Sequence, residues 1–170
     1  MNPRKKRGSE SIHLRRYREE DHDQVWELHN FVLNAIGAHG GNGPWDDDLH
    51  HVGRVYLENG GEFVVVERDG RIVGMGALLR QDDRKAAVKR MRVHPDHQRK
   101  GIGQKILSHL EAKAVELGYT TLVLDTTVGQ TAARRFYEKN GYREHGRTRY
   151  RQFHVILYEK VLVIPEDDGV

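Results

Sequence analysis

Apolar positions along the 170-residue chain change period several times, and each change predicts an element. "SIHLRRYRE" alternates Ile12 and Leu14 with polar neighbours, as a strand does. Asp21 stands three residues before Gln24, a helix N-terminus signature. Val25, Leu28, Val32 and Ile36 then form one helical face, and Gly37 ends it. "GAHGGNGP" is a loop. Trp45 and the acidic trio Asp46, Asp47 and Asp48 lead into Leu49, Val52, Val55 and Tyr56, which keep helical spacing. Two β-branched runs flank Asp69-Gly70, the pair preferred in a tight turn with positive φ, so residues 62–80 read as a hairpin. A further strand, residues 86–94, stops at Pro95. Ile102, Ile106, Leu110, Ala114 and Leu117 make a second amphipathic helix closed by Gly118. "TTLVLDT" is nearly continuously apolar, as in a strand covered on both faces. Residues 86–125 thus form a βαβ unit, whose strands should be parallel and joined by a right-handed crossover. A short helix closed by Asn140-Gly141 and two strands, "YREHGRTRY" and "QFHVILYEKVLV", complete the chain. The pattern predicts one α/β (α+β) domain over residues 11–164, built on a mixed, mostly antiparallel sheet. Residues 1–10 are expected to be a flexible basic arm and residues 165–170 a tail.

Composition narrows the chemistry. There are no cysteines, which removes thiol nucleophiles, thiolate metal sites and zinc fingers and suits a reducing, cytoplasmic setting. Lys plus Arg number 28 against 25 Asp plus Glu, a formal charge of +3, and part of that excess lies in "MNPRKKR". That arm reads as a solvated terminus or, alternatively, as a nucleic-acid arm. The rest of the chain is nearly charge-balanced without an aromatic-basic face, so no nucleic-acid partner is expected. No apolar run approaches the length of a membrane span, so no membrane association is expected. The histidines group closely only at His50-His51 and at His94 with His97, neither with the spacing of a zinc helix, and no metal is expected.

The loop Gln98-Arg99-Lys100-Gly101-Ile102-Gly103 joins the strand to the helix of the βαβ unit. A helix start leaves about four backbone N–H groups unpaired and carries about half a positive charge. Glycines there admit an anion close to the backbone, and Arg99 and Lys100 add charge. The dinucleotide pattern would need a third glycine where Ile106 stands, and the P-loop pattern is absent. From the hexapeptide alone, a plain helix start and a seat for a pyrophosphate are both open.

The chain resembles the Gcn5-related N-acetyltransferase (GNAT) superfamily. Its coenzyme A motif, Gln/Arg-x-x-Gly-x-Gly/Ala, is matched by Gln98, Gly101 and Gly103 after the strand "MRVHP". A second motif, Asn-x-x-Ala-x-x-Leu-Tyr-x-x-x-Gly-Phe, is matched in "QTAARRFYEKNGY", with Ala133, Tyr137 and Gly141 in register. Phe136 and Tyr142 are conservative replacements, and Gln130 stands where the family usually has Asn, which alters the pantetheine contact usually made there. The resemblance implies a GNAT-like domain whose central parallel strands splay apart between flanking helices. It implies acetyl-CoA as the acetyl donor, with pantetheine against Met91, Arg92 and Val93 and the pyrophosphate on residues 98–103. It also implies that Tyr137 protonates the departing sulfur.

Acetyl transfer needs a neutral amine, a polarised carbonyl and a proton for the thiolate. An ordinary lysine-like amine costs about 4–5 kcal/mol to deprotonate at pH 7. A phenol with an ordinary pKa near 10 keeps its proton at that pH, which suits Tyr137. A backbone amide near Val93 would polarise the carbonyl. Many family members carry a glutamate on the strand before the coenzyme loop, and "KAAVKRMRV" has none. Asp125 is the first candidate base, with Glu62, Glu67 and His154 behind it. Trp45 with Asp46 either attracts a cationic acceptor or simply forms an acidic first helical turn. The expected activity is N-acetyl transfer to a primary amine of a small molecule or peptide. The alternative is a non-catalytic acyl-CoA sensor. The last apolar strand makes a homodimer plausible by pairing or packing outward.

Overall fold

The computed structural model describes residues 11–163 and residue 166. The expected basic arm and most of the expected tail lie outside the described residues. Seven strands form one sheet: β1 (Ile12–Arg16), β2 (Glu62–Arg68), β3 (Arg71–Arg80), β4 (Lys85–Val93), β5 (Thr121–Thr127), β6 (Arg143–Tyr150) and β7 (Phe153–Val161). Their order is β1-β2-β3-β4-β5-β7-β6, and every pairing is antiparallel except β4 with β5. Three α-helices flank it: α1 (His22–Ala35), α2 (Ile102–Glu116) and α3 (Thr131–Lys139). One core layer packs α2 and Tyr137 of α3 against the sheet, and the other packs Val25, Leu28 and Val32 of α1 against the opposite face.

The hairpin forms where it is expected, with Asp69 at φ 51° and Gly70 at φ 76° in a two-residue turn. Other expectations need correcting. The segment around Leu49–Tyr56 is not one α-helix but a 3-10 turn (Pro44–His50) followed by a π-turn (Gly53–Leu57). Leu49, Val52 and Tyr56 are buried as their spacing predicts, so the pattern reported burial correctly but not backbone pitch. Asp21 does not cap α1; its carboxylate accepts two hydrogen bonds from Arg15 and one from the Arg18 amide, while Gln24 accepts from the Ile72 amide. Ile36 and Leu117 fall at helix ends and are exposed. The last strand cannot pair with a second copy through its edge, because β7 lies between β5 and β6.

Three features position the functional region. First, β4 and β5 pair only at Lys85–Thr121, Ala86–Leu122 and Ala87–Val123 and then part, so the sheet opens between them. Second, β4 bulges: Met75 pairs with Arg92 and Ala77 with Lys89, which leaves Arg90 and Met91 opposite Gly76 alone. Arg90 takes φ 56° there. Third, α2 lies hard against Gly74 and Gly76. A Cβ on Gly76 would meet Ile106 Cγ2 at 2.4 Å and Met91 Sδ at 2.8 Å. The glycines of "GMGALL" therefore admit α2 close enough to set its first turn beside the end of β4.

Candidate active site

The opening between β4 and β5 leads into a cavity of about 880 Å³. Its walls come from α1, the 38–48 loop, β4, β5, α3 and the β6–β7 hairpin. At its mouth Arg151 stacks on Trp45, 3.9 Å from the ring centroid, and donates to the Gly40 carbonyl at 2.8 Å. The hairpin is thereby tied to the 38–45 loop across the opening.

At the start of α2 the amides of residues 99–104 have no hydrogen-bond partner among the described residues; the first helical bond runs from the Lys105 amide to the Gly101 carbonyl at 3.0 Å. Arg99 and Gly101 have φ of 59° and 77°, and the segment 98–101 is exposed. Neither Arg99 nor Lys100 forms an ion pair among the described residues. Unpaired amides, a left-handed glycine and two free cations make a cradle that fits a pyrophosphate. None of residues 98–103 lines the cavity, so the cradle lies outside it. Gln98 donates through its side chain to the Val93 carbonyl at 3.1 Å, which ties the loop to the end of β4. A Cβ on Gly103 would lie 3.8 Å from Val93 and 3.9 Å from Phe136, ordinary contacts, and Ile102 is core.

Tyr137 of α3 is a buried residue that lines the cavity. No hydrogen bond to its hydroxyl is made among the described residues. Burial pushes its pKa up to about 12, against the lowering effect of Arg92, with a small further rise from Asp125. Phe136 and Tyr142 hold its ring, at centroid distances of 5.2 and 5.7 Å. Ala133 and Gln130 line the same wall, and the Gln130 side chain accepts from Thr126 at 2.9 Å. Gln104 bridges to Asn140 at 2.8 Å, and Asn140 donates to the Phe136 carbonyl at 2.9 Å, which locks the start of α2 to the end of α3.

Asp125 lies on the cavity wall with its side chain 53% exposed and 3.8 Å from Lys89 Nζ. The weaker base candidates do not reach the cavity: Glu62 is buried against Arg16, Glu67 pairs with Arg15, and His154 is exposed on β7. Trp45 and Asp46 do line it. The acidic trio is not free to attract a cation, however. Arg90 binds Asp48 through two hydrogen bonds of 3.0 and 2.5 Å and lies 3.5 Å from Asp46, while Asp47 is exposed and does not line the cavity. Tyr56 also donates to Asp48, at 2.5 Å.

Sequence reasoning missed His29. It is 1% exposed, lines the cavity and has no hydrogen bond to either ring nitrogen among the described residues. Burial pushes its pKa down to about 3, helped by Arg92 and Arg90 and opposed by Asp48. Its signal was its place four residues after Val25 and beside Leu28, a polar residue on the apolar stripe of α1.

The profile of the Acetyltransferase (GNAT) family matches residues 22–142, more than half of the chain. The chain belongs to the GNAT acetyltransferase family. Among its GNAT relatives, the human N-acetyltransferase 8 is 30% identical over 119 residues, 62% of this chain and 52% of that protein. The chain spans about half the length of the first curated relatives it matches. Two GNAT-fold structures show how widely the architecture is shared. A GNAT-family acetyltransferase of Staphylococcus aureus Mu50 superposes with a TM-score of 0.83 at 23% identity, covering 90% of this chain and 100% of that one. The PaiA N-acetyltransferase of Thermoplasma acidophilum, solved in complex with coenzyme A, gives 0.75 at 19% identity, covering 89% and 99%. Among the described residues no group of three or more metal-ligating side chains exists, and no helix is long and apolar enough to cross a membrane.

Proposed function

We propose that the protein is an acetyl-CoA-dependent N-acetyltransferase that moves acetyl directly to a primary amine of a small molecule or peptide. The observation that carries this reading is the opening of β4 from β5 after Val123, with Tyr137 on the wall of the cavity there and unpaired amides at the start of α2, which follows β4. Coenzyme A supplies the acetyl group as a thioester. The amides and cations of residues 98–103 hold its pyrophosphate. The edge of β4 at Met91, Arg92 and Val93, which β5 leaves unpaired, holds the pantetheine, and Gln130, Ala133 and Phe136 of the α3 segment bound it on the other side. Gln98 acts by anchoring the loop to Val93.

An amide near Val93 polarises the thioester carbonyl. As the amine nitrogen bonds to the carbonyl carbon, the carbon–sulfur bond breaks, one proton leaves the nitrogen and one reaches the sulfur. Tyr137 gives the second proton; with its pKa near 12 it is protonated throughout the working range. Asp125 takes the first and passes it to the solvent it faces. Trp45 and Asp46 border the acceptor. The test is thiol release from acetyl-CoA across an amine panel by wild type and Tyr137→Phe. Amine-dependent release, reduced about 100-fold or more in kcat by loss of the general acid, supports the reading. Binding of acetyl-CoA without turnover on any amine would make the protein a sensor instead.

A further inference from the structure

The charges lining the cavity do not cancel: Lys89, Arg90, Arg92, Arg149 and Arg151 face only Asp46, Asp48 and Asp125 among the described residues, and of the cations Arg92 is the one with a buried unpaired nitrogen. Asp48 and Asp46 are occupied by Arg90, and Asp125 faces Lys89. Arg151 is committed to Trp45 and Gly40 at the mouth. Arg92 has no carboxylate partner among the described residues. Among the described residues its side chain's single hydrogen bond goes from Nη1 to the Met91 carbonyl at 2.8 Å, and its Nε is buried without a partner. Arg92 shares the cavity lining with His29 and Tyr137, and its charge acts on both. Burial and the nearby Arg90 make its charge costly, lowering its pKa to about 10. Arg92 as a whole is half-buried, but a buried nitrogen of a charged group without a partner is rare in a protein unless something else completes it. His29 beside it also lacks hydrogen bonds and is neutral, so it does not neutralise that charge.

We infer that the acceptor carries a carboxylate near its amine, seated on the Arg92 guanidinium in the cavity, with His29 as a second polar contact. The planar fork of Arg92 matches a carboxylate, and pairing would relieve the repulsion from Arg90. A purely cationic amine would instead add to the positive excess of the cavity lining. This inference rests on the transferase reading for the identity of the bound molecule, but its binding test does not need turnover.

The test titrates the coenzyme A-saturated protein calorimetrically with N-acetyl-α-amino acids and with their carboxamides, which differ only in the anion. Carboxylates should bind about 10- to 100-fold tighter than carboxamides, the range expected for a charge-assisted hydrogen-bonded pair. Arg92→Gln should abolish that ratio and Arg92→Lys should reduce it, with circular dichroism reporting the fold of each. Equal affinities, no binding of either compound, or a ratio unchanged in folded Arg92→Gln would overturn the inference. If the Gln variant does not fold, the wild-type ratio decides alone. Transfer to amines of every charge with equal product affinities would remove the carboxylate and leave the transferase. A retained carboxylate preference with no turnover on any amine would do the reverse.

Discussion

His29 makes stability steeply dependent on acid. Its ring is enclosed by α1, by Asp46, Asp48 and His39 of the 38–48 segment, and by Arg90 and Arg92 of β4. In the unfolded chain it titrates near 6.5, but in the fold its pKa lies near 3. The folded pKa is depressed, so the unfolded state binds the proton first as pH falls. The stability is therefore complete above pH 6.5 and lost progressively down to about pH 3. At about 1.4 kcal/mol per pH unit, the loss by pH 4.5 is about 2.7 kcal/mol, a large share of the ~5–15 kcal/mol of a typical domain. Asp46 Oδ1, 3.3 Å from Nε2, favours the protonated ring and makes this an upper bound. The assay is urea unfolding of wild type and His29→Leu at pH 7 and pH 4.5. Carboxylates remote from His29 act in both proteins and cancel in the difference. The wild type should lose up to about 2.7 kcal/mol more than the variant between the two pH values. Parallel losses would show that His29 is not held neutral and would refute the electrostatic picture of the cavity.

Gly76→Ala should cost about 1–3 kcal/mol and lower the melting temperature, because the new methyl meets Ile106 and Met91 inside contact distance. Arg90→Met should cost about 3 kcal/mol in urea unfolding by leaving the carboxylate of Asp48 without its cationic partner. Gly101→Asp should weaken acetyl-CoA binding about tenfold or more by calorimetry, whereas neutral Gly101→Asn, which tolerates the left-handed conformation, should weaken it far less; equal effects would remove the pyrophosphate from this loop. Tyr137→Phe should leave thermal stability nearly unchanged, since its hydroxyl makes no hydrogen bond among the described residues, so its loss of kcat will not be a folding defect.

The parts of the fold that depend on local pattern were legible. Asp69-Gly70 announces its turn, the Ile102–Ala114 stripe announces α2, and the strand–loop–helix–strand order announces the parallel pair. The parts that depend on distant partners were not. Nothing in "KAAVKRMRV" reveals that Arg90 sits in a bulge, because an extra residue shifts the alternation without leaving a turn residue behind. That bulge lets Arg90 reach Asp48, 42 positions away in sequence, and so offsets part of the charge of an apparently acidic acceptor wall. The isolation of Arg92 follows from the same pairing. Likewise, apolar content cannot tell an edge strand from an inner one, which is why β7 looked available for a partner.

The most direct measurement follows both products at once, with free thiol read spectroscopically and acetylated amine by mass spectrometry. Wild type should release one thiol per acetylated amine and release none without an acceptor. Thiol released with no acetylated amine, or acetyl-CoA bound with neither product formed, would contradict acetyl transfer at Tyr137.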